Sequence, residues 1–231
     1  MNKVAFKKGW KLTKKIFLWM FIGQFVYIIL CKWINPPITI TQLVNIIKGN
    51  GFKRDYVSYK EMGSNIKLAV IAGEDQLYPD HNGFDIKAIK LAYKYNKRHP
   101  TRVRGASTIS QQVAKNVFLW QGGGFFRKGL EVYFTFMIEK IWGKKRILQM
   151  YLNVAELGRG IYGAQAAAQT YFKKNARDLT RQQAALIAGC LPNPKKYSVQ
   201  PVSRVVAYRS AIILRNMHNL EADPDIRNLL K

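Results

Sequence analysis

The residues best suited to do chemistry lie in one stretch, Glu74-Asp75-Gln76-Leu77-Tyr78-Pro79-Asp80-His81-Asn82-Gly83-Phe84-Asp85. Just before it, Ile66, Ala69, Val70 and Gly73 recur at helical spacing, with Ser64 or Asn65 available as an N-cap. Glu74 and Asp75 therefore fall at the C-terminal end of an apolar helix, where the helix dipole opposes negative charge. That dipole, together with partial burial, raises a carboxylate pKa toward the range of a general base. Tyr-Pro and Asp-His-Asn-Gly are turn chemistry. An acid at such a helix-to-loop junction, beside a His and a Gly, is a common way to build a cleft; a solvated helix end is the plainer alternative.

A second set follows in Arg104-Gly105-Ala106-Ser107-Thr108-Ile109-Ser110-Gln111-Gln112-Val113-Ala114-Lys115-Asn116. Gly105 supplies backbone freedom and Ser107 or Thr108 can cap a helix running through Val117. Ser107, Thr108, Gln111, Gln112 and Lys115 crowd hydrogen-bonding groups onto helix-facing offsets. They make either a polar surface or a face for sugar and phosphate, and a helix N-terminus favours an anion. Arg127, Lys128 and Glu131 open a further helix whose Leu130, Phe134, Met137, Ile138 and Ile141 are helically spaced. Lys128 and Glu131 can also be read as an ordinary surface pair.

The elements that must position these groups are mainly helical. Ile86 to Ala92 sits within an expected helix over 84–95, stopped by Lys97-Arg98-His99-Pro100. Lys144-Lys145-Arg146 precede the helical run Ile147 to Asn153. Gly158, Gly160 and Gly163 around Ile161-Tyr162 mark a tight turn or close backbone approach. An Ala-rich helix follows over 164–172, another over 181–190 ended by Pro192-Asn193-Pro194, and an amphipathic one over 204–218. Few alternating β-branched runs occur, and no internal repeat is evident. The segment Val117 to Phe126, with five large apolar residues around three glycines, is read either as a buried turn or as a loop dipping into a bilayer surface.

The chain carries 38 Lys plus Arg against 13 Asp plus Glu, a formal net charge of +25. Acidic partners are implied, whether nucleic acid, anionic lipid or a phosphorylated substrate. Seven of the 13 acids lie between Glu74 and Glu156, which concentrates the interest there. Cys31 and Cys190 are far apart in sequence, and with His81, His99 and His218 they give no zinc spacing.

Residues 1–15 form a basic tail with six lysines, and residues 16–34 an apolar run that carries no charge from Ile16 to Cys31 and is closed by Lys32 and Trp33. No small-residue cleavage site follows, so the run reads as an uncleaved transmembrane anchor rather than a signal peptide. The lysines place the N-terminus in the cytoplasm. Residues 35–60, after the Pro36-Pro37 break, read as a connector packing on the main body, residues 61–231.

Taken together, these segments resemble the peptidoglycan glycosyltransferase family, found alone or as the N-terminal domain of bifunctional penicillin-binding proteins. The resemblance covers roughly residues 55–200. Glu74-Asp75 through His81-Asn82-Gly83 looks like its first motif, and Gly105-Ala106-Ser107-Thr108-Ile109-Ser110-Gln111-Gln112 with Lys115-Asn116 like the second. Arg127-Lys128-Gly129-Leu130-Glu131 looks like the third, and Lys144 with Ile147-Leu148 and Tyr151-Leu152-Asn153 like the fourth. Gly160-Ile161-Tyr162-Gly163 with Ala167-Ala168 and Tyr171-Phe172 looks like the fifth. Tyr78 stands where the family usually has Phe, and Gln149 where it usually has Glu.

The resemblance implies a mainly α, lysozyme-like, two-lobed glycosyltransferase domain behind an N-terminal transmembrane helix. The domain would lie on the periplasmic, outer side of the cytoplasmic (inner) membrane. Its implied activity is inverting β-1,4 polymerisation of lipid II onto a growing glycan strand, with release of undecaprenyl pyrophosphate. Glu74 is then the general base, and Ser107, Thr108, Gln111 and Gln112 contact sugar and phosphate. Lys115, Arg127, Lys128 and Lys144 receive the leaving diphosphate, Arg127 and Lys128 foremost. Glu131 orients the basic groups or helps to hold a magnesium or manganese ion bound with the pyrophosphate. Asp75 and His81 are supports. The implied partners are lipid II, the glycan strand, the membrane and other cell-wall synthesis proteins, but no nucleic acid. The rival readings are a lysozyme-like hydrolase of finished glycan and a membrane-tethered basic scaffold or nucleic-acid binder.

Overall fold

The computed structural model describes residues 3–231, and side chains from residue 7 onward. The chain divides into two compact units, 1–36 and 37–231.

In the first unit, helix α1 (Lys3–Leu30) runs unbroken through the lysines into the apolar run. The expected boundary at residue 15 is therefore a change of composition and not of backbone. Lysine is nearly as good a helix former as leucine, so its charge does not stop the helix. The part from Lys7 to Leu30 is long and apolar enough to cross a membrane. Phe17, Leu18, Trp19, Met20 and Phe21 all stay exposed around it, as a lipid-facing helix requires.

The second unit is mainly α. It contains α2 (Ile40–Ile47), β1 (Lys53–Arg54), α3 (Ser64–Glu74), α4 (Ile86–Arg98), α5 (Ile109–Phe118), α6 (Phe125–Ile141) and α7 (Lys144–Val154). There follow β2 (Glu156–Gly158), β3 (Ile161–Tyr162), α8 (Ala164–Phe172), α9 (Arg181–Cys190), α10 (Arg204–Leu220) and α11 (Pro224–Leu230). The stretch 35–60, expected as a connector, holds a helix and a strand. Thr39 and Gln42 form a capping box that starts α2. β1 pairs parallel with β3 in a three-stranded sheet of order β1-β3-β2, with Lys53 opposite Ile161 and Arg54 opposite Tyr162. Strands of two or three residues leave too little alternation to be seen in sequence.

Two helical groups frame the interior. Helix α3 packs against α9 and α10, while α5 packs against α6 and α7. Ile66, Leu68, Ala69, Val70, Ile71 and Ala72 of α3 are all buried, so this helix is covered on every side and its C-terminal end is held rigidly. The residue capping α3 at its start is Gly63, one position before the serine expected there, and Asn65 donates to the Leu179 carbonyl at 2.8 Å. Helix α4 begins two residues later than its apolar pattern suggests, because Asp85 caps it by accepting from the Ala88 amide at 2.8 Å.

Two glycines fix close approaches. Gly83 (φ +87°) lies where a Cβ would stand 2.7 Å from the Thr135 Cγ2, and Gly160 (φ +68°) where it would stand 2.3 Å from the Asn50 carbonyl oxygen. The first seats the loop after α3 on α6; the second lets the β2–β3 turn lie on the chain leading into β1.

Candidate active site

Glu74 is the last residue of α3, and its side chain is only 14% exposed. Its Oε2 accepts from the Gln112 side-chain amide at 2.9 Å. Its Oε1 lies 3.5 Å from the Arg209 guanidinium. Gln112 is held in turn by Tyr151, whose hydroxyl donates to the Gln112 Oε1 at 3.2 Å. Burial pushes the Glu74 pKa up, outweighing the lowering by Gln112, Arg209 and Lys115; neighbouring Asp75 adds to the rise. A carboxylate so placed is a stronger proton acceptor than one in water.

Asp75 does a different job. Its Oδ1 pairs with the His81 Nε2 at 2.9 Å and its Oδ2 accepts the Ile109 amide at 3.0 Å. The His81 Nδ1 accepts the Gly83 amide at 3.1 Å, so the neutral ring carries its proton on Nε2 and donates to Asp75. Asp75 thus ties the α3 end to the start of α5. Thr108 adds to the same joint by donating to the Gly83 carbonyl at 2.7 Å, and it forms a capping box with Gln111. Thr108 and Gln111 are buried and use their polar groups on this cap, whereas Gln112 faces the acid. Asn at this position offers one acceptor oxygen to two donors, the Ile109 N–H and the His81 Nε2–H, so one of them meets an NH2 group. We expect Asp75→Asn to cost about 2–3 kcal/mol and to lower Tm by about 5–10 °C, read by thermal unfolding followed by circular dichroism.

Lys144 also belongs to the supporting frame. Its Nζ donates to the His81 carbonyl at 2.5 Å and pairs with the Glu139 Oε1 at 2.7 Å, where Ser110 also donates. Tyr78, fully buried, donates its hydroxyl to the Lys144 carbonyl at 2.8 Å. Its hydroxyl, the departure from the family's Phe, is therefore satisfied. Gln149 accepts from Arg146 at 2.9 Å.

Glu131 is 2% exposed. One oxygen pairs with Arg127 at 2.7 Å and the other with Lys128. The Arg127 Nε is buried with no hydrogen-bond partner among the described residues. This carboxylate set fits no resident metal. Both Glu131 oxygens are taken by cations, and among the described residues no three His, Cys, Asp or Glu side chains converge.

Two clefts open on this frame. One, of about 690 Å³, is lined by Glu74, Arg104, Ser107, Gln112, Lys115 and Arg209 among others. The other, of about 630 Å³, is lined by Lys115, Asn116, Tyr151, Glu156, Tyr162, Asn193 and Lys195 among others. Gln112, Lys115, Leu191 and Pro192 line both. Arg127, Lys128 and Lys144 line neither. Lys115 is the link: it feels Glu131, Arg127, Lys128 and Glu74 together. Burial is the main cause that lowers its pKa, with Arg127 and Lys128 pushing the same way against the two carboxylates. Among the described residues its ammonium makes no hydrogen bond or ion pair, while its backbone carbonyl accepts the Leu119 amide at 3.1 Å.

Arg209 and Tyr151 reach this site without announcing themselves in sequence. Arg209 lies 135 residues from Glu74, and nothing local marks it. Tyr151 belongs to a helix and to the fourth motif, but neither shows that its hydroxyl holds Gln112. The segment 117–126 splits between the two readings. Val117 and Leu119 are buried and Phe118 stacks on Phe134 at 4.8 Å, while Phe125 is 98% exposed.

Residues 41–218 match the family model described as Transglycosylase. Similar curated proteins carry the name biosynthetic peptidoglycan transglycosylase. One from Aeromonas hydrophila is 47% identical over 210 residues, covering 89% of either chain. One from Pseudomonas entomophila is 46% identical over 209 residues, covering 88% of either. One from Shigella boydii is 52% identical over 170 residues, covering 74% of this chain and 70% of its own. A match over most of the chain, enclosing Glu74 and every residue that lines the two clefts except Ile40, means that this chain belongs to the transglycosylase family.

Proposed function

We propose that this chain polymerises lipid II into β-1,4-linked glycan, with Glu74 as general base and Lys115 as the principal cation for the departing diphosphate. The observation that carries the reading is the meeting of both clefts at Gln112 and Lys115, beside Glu74. One cleft then takes the incoming sugar and the other the diphosphate-linked growing strand.

Glu74 removes the proton of the incoming 4-hydroxyl as its oxygen attacks the anomeric carbon from the face opposite the leaving group. The bond from that carbon to the diphosphate oxygen breaks, the centre inverts, and the electron pair leaves with the diphosphate. The leaving group is already an anion, so it needs positive charge more than a second carboxylic acid. Lys115 supplies that charge from between the clefts. Arg127 and Lys128, aligned by Glu131, add to the positive field from behind Lys115. Gln112, fixed by Tyr151, orients the base. Ser107 and Arg104 line the Glu74 cleft and bind the sugar's polar groups. Asp75, His81, Thr108, Gln111 and Lys144 hold the frame.

The proposed setting is a single-pass anchor through the cytoplasmic membrane, N-terminus inside, with residues 37–231 on the outer side. The excess of lysine before the apolar run supports this orientation. Substrate and product both keep a polyprenyl tail in the bilayer, so an anchored enzyme meets them at high effective concentration. The test offers the protein labelled lipid II and, separately, intact sacculi. Release of undecaprenyl pyrophosphate with growth of glycan is the expected result; solubilisation of sacculi without polymer would point to a hydrolase.

A further inference from the structure

Helix α2 is amphipathic the wrong way round for a soluble protein. Thr41, Gln42 and Asn45 share its buried side, while Ile40, Leu43, Val44 and Ile47 share the opposite side and are exposed, Ile47 by 76%. This orientation is fixed by the inner face. Thr41 accepts from Gln121 at 3.2 Å, and the Gln42 side-chain carbonyl accepts from Arg54 at 3.3 Å. Asn45 donates to Tyr162 and accepts from Lys195 at 2.6 Å and from Asn50 at 2.9 Å. Rotating the helix to hide its isoleucines would break all of these and leave several buried polar groups unpaired.

We infer that the outward face of α2 seats in the hydrocarbon edge of an anionic bilayer and guides the lipid tail of a bound substrate into the adjoining cleft. Three features single out this occupant over a protein. The apolar face is flanked by exposed Lys48 and Lys53, suited to anionic headgroups. The chain reaches α2 at Ile40, nine residues (31–39) after the apolar helix α1 ends at Leu30. Moreover, the face runs into the cleft, because Ile40 and Val44 both line it. A polyprenyl chain can therefore pass from lipid to the diphosphate position along one apolar surface.

The test places benzoylphenylalanine at Leu43 or Ile47 in the full-length protein, reconstituted in vesicles of phosphatidylethanolamine and phosphatidylglycerol. The same probe at the exposed Tyr208 of α10 serves as control. Irradiation is expected to give lipid adducts at 43 and 47 well above the yield at 208, seen by mass spectrometry. Adducts to protein alone, or equal lipid yields at all three positions, would overturn the bilayer seat.

A second arm rests on the lipid II reading. The exposed-face variant Leu43→Gln/Ile47→Gln is expected to raise KM for lipid II in vesicles by about five- to tenfold. Turnover of a short-tailed, water-soluble analogue should stay unchanged. Lipid adducts with an unchanged KM would overturn the tail guidance, whereas adducts with an inactive wild-type enzyme would count against the substrate assignment alone.

Discussion

Glu74→Gln is expected to lose at least about a hundredfold in lipid II polymerisation while folding as well as the parent or better. Glutamine keeps the size of the side chain and can still accept from Gln112, so the cleft geometry survives. What disappears is the only carboxylate among the residues lining the cleft with Ser107 and Arg209 that is not already committed to a cap: Asp75 and Asp85 each serve a helix N-terminus. A hydroxyl proton then has no acceptor, and attack on the anomeric carbon stalls. Near-parental polymerisation by this variant would remove Glu74 from the role of base.

The gain in stability follows from the same burial. The folded-state pKa of Glu74 is raised, above an unfolded value of about 4.3. The folded protein therefore binds this proton more tightly than the unfolded chain. The stability linked to that proton is fully present below the unfolded pKa and is lost as pH rises through the folded one. At neutral pH the wild type carries a desolvated charge that the glutamine variant lacks, so the Tm of Glu74→Gln should equal or exceed that of the parent. For activity the sign is opposite. The base works only when ionised, so kcat/KM should fall on the acid side at a pH above the ordinary carboxylate range.

Much of this site could be read from the chain because its key groups are set by local rules. Glu74 ends a run of helically spaced apolar residues and precedes a turn, so its place at a helix end needs no tertiary information. Thr108 is likewise legible as a helix cap, although Gln111, expected to contact substrate, closes that cap into a box. What escaped was non-local or inverted. Arg209 comes to Glu74 from α10 through packing of α3, α9 and α10. The Lys144–His81 bond, which fastens the loop after α3, joins residues 63 apart in the chain. Arg127 and Lys128 stand foremost for the leaving group by resemblance to the third motif; that both pair with Glu131, while the Lys115 ammonium has no such partner among the described residues, is visible only in three dimensions. Helix α2 was hidden for another reason. Its apolar periodicity is ordinary, and only burial tells which face points inward.

Lys115→Met carries the second large effect, a fall in kcat of about 10²–10³ with lipid II. Methionine preserves the aliphatic stem and the packing between the clefts, and removes only the ammonium. The departing diphosphate then loses its nearest unpaired cation and is left with Arg127 and Lys128, both tied to Glu131, and Lys195, which is bonded to Asn45. The pH profile separates this electrostatic role from a structural one. The Lys115 pKa is lowered mainly by burial, below an ordinary value of about 10.4, so activity should decline on the alkaline side as its proton is lost. Lys115→Arg keeps the charge at all accessible pH values; it should retain part of the turnover and move that alkaline decline upward. Stability runs the other way. The folded form holds this proton more weakly than the unfolded chain, so the buried cation costs stability below its folded pKa and that cost fades as pH rises through it. Lys115→Met should therefore melt no lower than wild type at neutral pH. An Arg variant with the wild-type alkaline limb would show that some other group titrates there, and a Met variant with wild-type kcat would move the leaving-group charge to the Arg127–Lys128 pair.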